Sequence, residues 1–169
     1  MKLLKLATLA FALTSLFAGV AHAATATANL NVNASVSDNC IISTADVAFG
    51  AYDPIVTNAV APLNGTGTVT ITCTTGASAV VTLGQGANDS GGSAADPARR
   101  MADGTDFLSY TLFSDTGRTV EWGDTAGTGV ADTGDGAASA HTVYGSVAPG
   151  QTGAPAGSYA DVVVATVTF

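Results

Sequence analysis

The chain has 169 residues, of which 13 are acidic and five are lysine or arginine, so its formal charge is −8 at pH 7. That balance excludes a nucleic-acid binder or a protein held on an anionic membrane, since both need a basic face. With 47% hydrophobic residues the length suits one domain with its own core.

The amino terminus sets the expected compartment. Lys2 and Lys5 precede an almost wholly apolar run over residues 6–20, and Ala21-His22-Ala23 offers the small residues read by signal peptidase. Residues 1–23 are therefore predicted to be a signal peptide cleaved after Ala23, leaving an exported domain over residues 24–169. The apolar run is shorter than the roughly 20 residues a spanning helix needs, and no second run follows, so no membrane insertion is expected. Both lysines leave with the signal peptide. Arg99, Arg100 and Arg118 then face all 13 acidic residues, a formal charge of −10. Cys40 and Cys73 both remain, and in an oxidising compartment an even count points to a bridge, with two unpaired buried thiols as the alternative. Closing that loop would remove roughly 3.8 kcal/mol of unfolded-state entropy in the chain-entropy model.

Along the mature chain Ala, Val, Thr and Gly dominate, helical apolar spacing is absent, and the pattern is all-β. Residues 25–37 alternate without a break: Ala26, Ala28, Leu30, Val32, Ala34 and Val36 fall on one side, with Thr, Asn and Ser opposite. Further strands are predicted at 40–43, 47–52, 67–74, 79–83, 107–114, 119–122, 142–147 and 159–169. Residues 84–97 and 123–140, rich in Gly and polar residues, are predicted to be exposed loops, too polar to pack. Many short strands without an internal repeat suggest a two-sheet sandwich of immunoglobulin-like size.

Catalytic chemistry finds little support. His141 is the sole histidine of the mature chain, and no G-x-S-x-G, H-E-x-x-H or phosphate-loop motif is present, so an enzyme is not expected. Asp132-Thr133-Gly134-Asp135-Gly136 resembles the start of a calcium loop but lacks the later glutamate, and a solvated turn is the simpler reading. Nothing in the spacing pairs Glu121 with an aspartate for glycoside hydrolysis. No metal or cofactor is expected. Arg99-Arg100 is read as a surface cluster pairing with Asp96, Asp103 or Asp106, and Tyr110, Phe113, Trp122, Tyr144, Tyr159 and Phe169 as packing residues.

The two ends carry the functional argument. Thirteen alternating residues would extend about 44 Å, more than twice a typical strand. Either they form the first strands of a complete sandwich, or their front part projects as an arm that needs a partner. The other end is a strong strand pattern ending on Phe169, and a sandwich ending there is expected to lack a closing strand. Strand addition from one copy to the next would reconcile both, and head-to-tail addition makes an open fibre.

Several segments also carry a family likeness: the alternating stretch running into Cys40, Val47-Ala48-Phe49-Gly50-Ala51-Tyr52, residues 67–73, Tyr110-Thr111-Leu112-Phe113-Ser114-Asp115 with Arg118, Trp122-Gly123-Asp124, Thr142-Val143-Tyr144-Gly145, and Ala156-Gly157-Ser158-Tyr159-Ala160-Asp161. In these the chain resembles the spore coat protein U domain family, whose members include subunits of archaic chaperone-usher pili. The resemblance implies an incomplete immunoglobulin-like β-sandwich completed by donor-strand exchange, held by a periplasmic chaperone and assembled at an outer-membrane usher. It implies that Cys40 and Cys73 form the family disulfide. It implies a donor arm over residues 24–35, with Ala26, Ala28, Leu30, Val32 and Ala34 as donor residues, and a chaperone-held terminal strand presenting Val163, Ala165, Val167 and Phe169. The expected function is that of a shaft subunit of an extracellular pilus that self-polymerises and supports adhesion and biofilm formation. A secreted surface or spore-coat protein without a pilus is the alternative.

Overall fold

The computed structural model describes residues 22–169; the predicted signal peptide, except His22 and Ala23, lies outside them. Residues 36–169 form one compact unit, and the described residues 22–35 belong to a separate one. Among the described residues there are eight strands and no helix. They are β1 (Cys40–Ala45), β2 (Leu63–Cys73), β3 (Ser78–Leu83), β4 (Arg100–Asp103), β5 (Asp106–Phe113), β6 (Val130–Thr133), β7 (Ala138–Val147) and β8 (Ala165–Thr168). A five-stranded sheet in the order β1-β2-β7-β5-β4 faces a three-stranded sheet in the order β6-β3-β8, and every pairing is antiparallel. The all-β sandwich predicted from the sequence is the observed architecture.

The strands form where two-residue alternation provides one apolar face. Val69, Ile71 and Cys73 of β2, Ala79, Val81 and Leu83 of β3, Leu108, Tyr110 and Leu112 of β5, and Val143 and Val147 of β7 all point inward and are buried. Each full-sized aliphatic side chain removed from water contributes about 1.5–3 kcal/mol. Trp122 is wholly buried and its indole N–H donates to the Val81 carbonyl at 2.9 Å, which links the 114–122 turn to β3.

Several predicted elements differ. Residues 47–52 are not a strand: they cross the inner face of the large sheet, where Val47 and Phe49 lie on a bed of Gly65, Gly67 and Gly145. A Cβ at Gly145 would sit 2.6 Å from Phe49 Cζ and 2.8 Å from Val47 Cγ1, so these strand glycines exist to admit the crossing segment. Residues 119–122 contribute one bridge, Phe113 to Glu121, because Asp115 draws the chain into a turn by accepting from the Thr119 and Val120 amides, both at 2.8 Å. The terminal strand is Ala165–Thr168 rather than 159–169. Its ladder with β3 breaks at Gly84 and Gly86, beyond which single bonds run from the Gly84 amide to the Val164 carbonyl at 2.8 Å and from the Ala87 amide to the Val162 carbonyl at 3.0 Å, while Ala160 bridges Ala102 of β4 instead. Phe169 is exposed and lies outside β8, so it does not pack as expected. Two strands, β4 and β6, fall where the alternation pattern predicts none. β4 forms a hairpin with β5 over the turn at Gly104, and β6 lies inside the predicted 123–140 loop, where Val130 and Ala131 extend the small sheet.

Candidate assembly groove

Among the described residues, strand β1 hydrogen-bonds only to β2, and β8 only to β3, so there each sheet presents an edge on the same side of the sandwich. β1 and β8 approach one another. Further along, between residues 44–49 and 159–165, the two sheets stand apart around an open cleft of about 490 Å³. Its floor is the core itself: Val69, Leu83, Tyr110, Leu112 and Val143 line it, with Val47 and Phe49 on one wall and Val163 and Ala165 on the other. The cleft opens to solvent over core side chains that are only 2–6% exposed, so it is a groove along the core with room for further apolar side chains.

The walls are held by polar bonds that the cleft does not use. The Tyr110 hydroxyl donates to Asp161 Oδ2 at 2.7 Å, and Asp161 Oδ1 accepts from the Ala87 amide at 3.0 Å, the Asn88 amide at 3.2 Å and Asn88 Nδ2 at 3.0 Å. Burial, and then this bond to a carboxylate, push the tyrosine well above its ordinary range, so it acts as a permanent donor. Gly86 has φ 87° and a Cβ there would collide with the Asp161 carboxylate, so only glycine allows this latch. The Phe49 and Tyr110 rings meet edge to face at 6.0 Å across the floor.

The residues predicted for the terminal strand are arranged by parity. Val163, Ala165 and Val167 are half-buried against the core, whereas Val162, Val164, Thr166 and Thr168 face outward. Every residue from 22 to 39 is exposed and none is in a strand; Ala26, Ala28, Leu30, Val32 and Ala34 all lie there, with Leu30 at 88% and Val32 at 85% exposure. Cys40 and Cys73 are joined by a disulfide of 2.05 Å between directly paired residues of β1 and β2. It lies beside the start of the compact unit, where the Thr74 hydroxyl accepts from the Asn39 amide at 3.2 Å.

Arg99 corrects the surface reading of the basic pair. It is 1% exposed, donating Nε to the Gly84 carbonyl at 2.9 Å and Nη2 to the carbonyls of Leu83 at 2.7 Å and Trp122 at 2.8 Å. Backbone carbonyls take the role expected of surface aspartates: those of Leu83 and Trp122 end predicted strands, and that of Gly84 opens the first predicted loop. The two segments predicted to be exposed loops are not wholly so, since Pro97 and Gly123 within them are buried. Nothing in its sequence neighbourhood separates Arg99 from Arg100, which stays nearer the surface with its guanidinium 4.0 Å above the Phe107 ring. The Asp132 carboxylate takes the His141 ring at 2.8 Å and the Thr133 amide at 2.7 Å, and Asp135 accepts from the Ala137 amide at 2.8 Å. These aspartates shape turns, and among the described residues no group of three or more His, Cys, Asp or Glu is placed to hold a metal ion. No described helix is long and apolar enough to cross a membrane.

Comparison with known proteins places this geometry. The chain is 48% identical over 158 residues to Protein U of Myxococcus xanthus, covering 88% of each. Its fold is similar, at a TM-score of 0.56 and 21% identity, to a chain in the crystal structure of the CsuC–CsuE chaperone–tip adhesion subunit pre-assembly complex from the archaic chaperone-usher Csu pili of Acinetobacter baumannii. That match covers 79% of this chain and spans only 40% of the other. The model of the Spore Coat Protein U domain matches residues 26–166, which include the cleft, both cysteines and the alternating amino-terminal segment, and the chain accordingly belongs to the spore coat protein U domain family.

Proposed function

We propose that the chain is a structural, non-enzymatic subunit of a chaperone-usher type surface fibre, exported through the periplasm after loss of residues 1–23, and that it polymerises by donor-strand exchange. The observation that carries this reading is the open cleft over the core between the unpaired edges of β1 and β8. It is supported by an exposed segment whose Ala26, Ala28, Leu30, Val32 and Ala34 repeat every second residue, the period that fills a sheet edge. In the resting subunit a periplasmic chaperone lends a strand along Val163, Ala165, Val167 and Phe169; an outer-membrane usher then exchanges it for the arm of another copy. A single domain carrying such an arm suits the shaft, and adhesion and biofilm formation follow from the fibre. A surface or coat layer without a pilus is the second reading, favoured by the family's description as a spore coat domain.

Electron microscopy and size-exclusion chromatography of the mature chain, beside a version with residues 24–35 fused after Phe169, test the proposal. Fibres from the first and a stable monomer from the second are expected. A native chain that is itself a stable monomer would overturn it.

A further inference from the structure

A second cleft, of about 470 Å³, opens at the end of the sandwich opposite the disulfide, between Tyr52, Leu63, Leu108 and residues 154–157. Met101 and Tyr159 line both clefts, so the two adjoin across these side chains, which flank the paired backbone of Ala102 and Ala160. Next to it, residues 53–61 form a turn exposing three large apolar side chains, Ile55 at 70%, Val56 at 75% and Val60 at 88%. The turn is held firmly. Asp53 accepts from the Ile55 amide at 2.9 Å and the Val56 amide at 3.1 Å, and the 3%-exposed Asn58 bonds to Asp53 and Ala61. A hydrogen-bonded turn that presents three apolar side chains beside a cleft marks a contact surface.

The topology identifies its occupant. β8 runs from this distal end toward the disulfide end, since Ala165 pairs with Leu83 and Thr168 with Val80. Every pairing among the described residues is antiparallel, and an arm laid antiparallel along β8 would run toward the distal end, so that the body attached to that arm emerges there. In the same row as the five donor residues, two positions after Ala34, stands Val36, 87% exposed. At about 3.4 Å per residue it falls roughly 7 Å beyond Ala34. With the donor row in the first cleft, the chain continues in this direction, and Val36 comes to the side of Met101 and Tyr159 on which the second cleft opens.

We propose that the second cleft and the Ile55–Val56–Val60 knuckle form the docking surface for the base of the next copy's arm, with Val36 as its apolar anchor. The inference rests on the strand-addition reading and adds a joint to it: cleft and knuckle lie at one end of the sandwich and the arm base at the other, so each joint leaves a free knuckle and a free arm for the next copy.

Labelled peptides of residues 24–35 and 24–37, titrated against the full-length chain by fluorescence anisotropy, read the anchor. The longer peptide should bind about tenfold more tightly, equivalent to about 1.4 kcal/mol, and Val36→Asp in it should abolish the gain. In the full chain, Ile55→Asp with Val56→Asp should raise the critical concentration for fibre growth at least fivefold with the melting temperature unchanged, because both side chains are already in water. Equal affinities for the two peptides, or an unchanged critical concentration, overturns the joint while leaving strand addition standing; failure of both peptides to bind overturns strand addition as well.

Discussion

Replacing Arg99 by methionine tests the account of the fold most severely. The variant keeps an unbranched side chain of similar reach but removes the donors to the Leu83, Gly84 and Trp122 carbonyls. Burial already lowers the guanidinium pKa, so an apolar replacement relieves a real desolvation cost, and where both members of a buried ion pair are replaced such a swap can be neutral. Here three acceptors are backbone carbonyls that stay behind without a donor, and Glu121, whose Oε1 lies 3.9 Å from Arg99 Nη1, stays behind without its cation. Hydrogen bonds to a charged group contribute about 1.5–3 kcal/mol each, and they are not additive within one side chain, so the expected loss is about 3–5 kcal/mol. Against a total stability of about 5–15 kcal/mol that approaches unfolding. Trp122 is the only tryptophan and is wholly buried, so its emission during urea unfolding reports the change directly. The midpoint should fall sharply with little change in slope. A loss below about 1 kcal/mol would refute the claim that Arg99 joins β3 to the 114–122 turn.

Reducing the Cys40–Cys73 bridge, or changing Cys40 to serine, should lower stability by up to roughly 3.8 kcal/mol, read as a drop in melting temperature under reducing conditions. Gly145→Val would drive a side chain into Phe49 and Val47, so it should displace the 46–52 segment and destabilise by about 1–3 kcal/mol or more, with altered near-ultraviolet circular dichroism. The Asp132 carboxyl is held below its ordinary value of 3.8, first by a Ser139 hydrogen bond and then by His141. A depressed folded-state pKa contributes stability that is present above that ordinary value and lost as the pH falls below it. Asp132→Asn should therefore cost about 0.5 kcal/mol at pH 7, with the difference shrinking in denaturation curves as the pH falls below 3.8 and through the lowered value. Glu121 has the opposite sign: burial, then Asp96, raise its carboxyl above 4.5, so its contribution is full below that pH and lost as the pH rises through the raised value. Glu121→Gln should therefore compare more favourably with the parent chain at pH 7 than at pH 4, measured the same way.

Period-two alternation was enough to determine the all-β class and most of the strands, because a strand that covers a core must place every second side chain inward whatever its neighbours are. It worked for β2, β3, β5 and β7, whose Val, Ile, Leu and Tyr residues form the floor of the cleft. The cysteine count in an expected oxidising compartment likewise pointed to the bridge. Sequence alone also singled out the row Ala26 to Ala34 as apolar on one side, although a row of that kind serves a complete sandwich as well as an arm. The remainder depended on residues distant in the chain. Val47 and Phe49 alternate like a strand but lie across a sheet because Gly65, Gly67 and Gly145, up to about a hundred positions away, leave them room. Arg99 and Arg100 are adjacent and chemically identical, yet one enters the core and the other does not, since only the fold brings three free carbonyls to one of them. The cleft itself belongs to no segment: it is the space left where the edges of β1 and β8 stay unpaired, and an unpaired edge is a property of how two sheets are stacked rather than of either strand's composition.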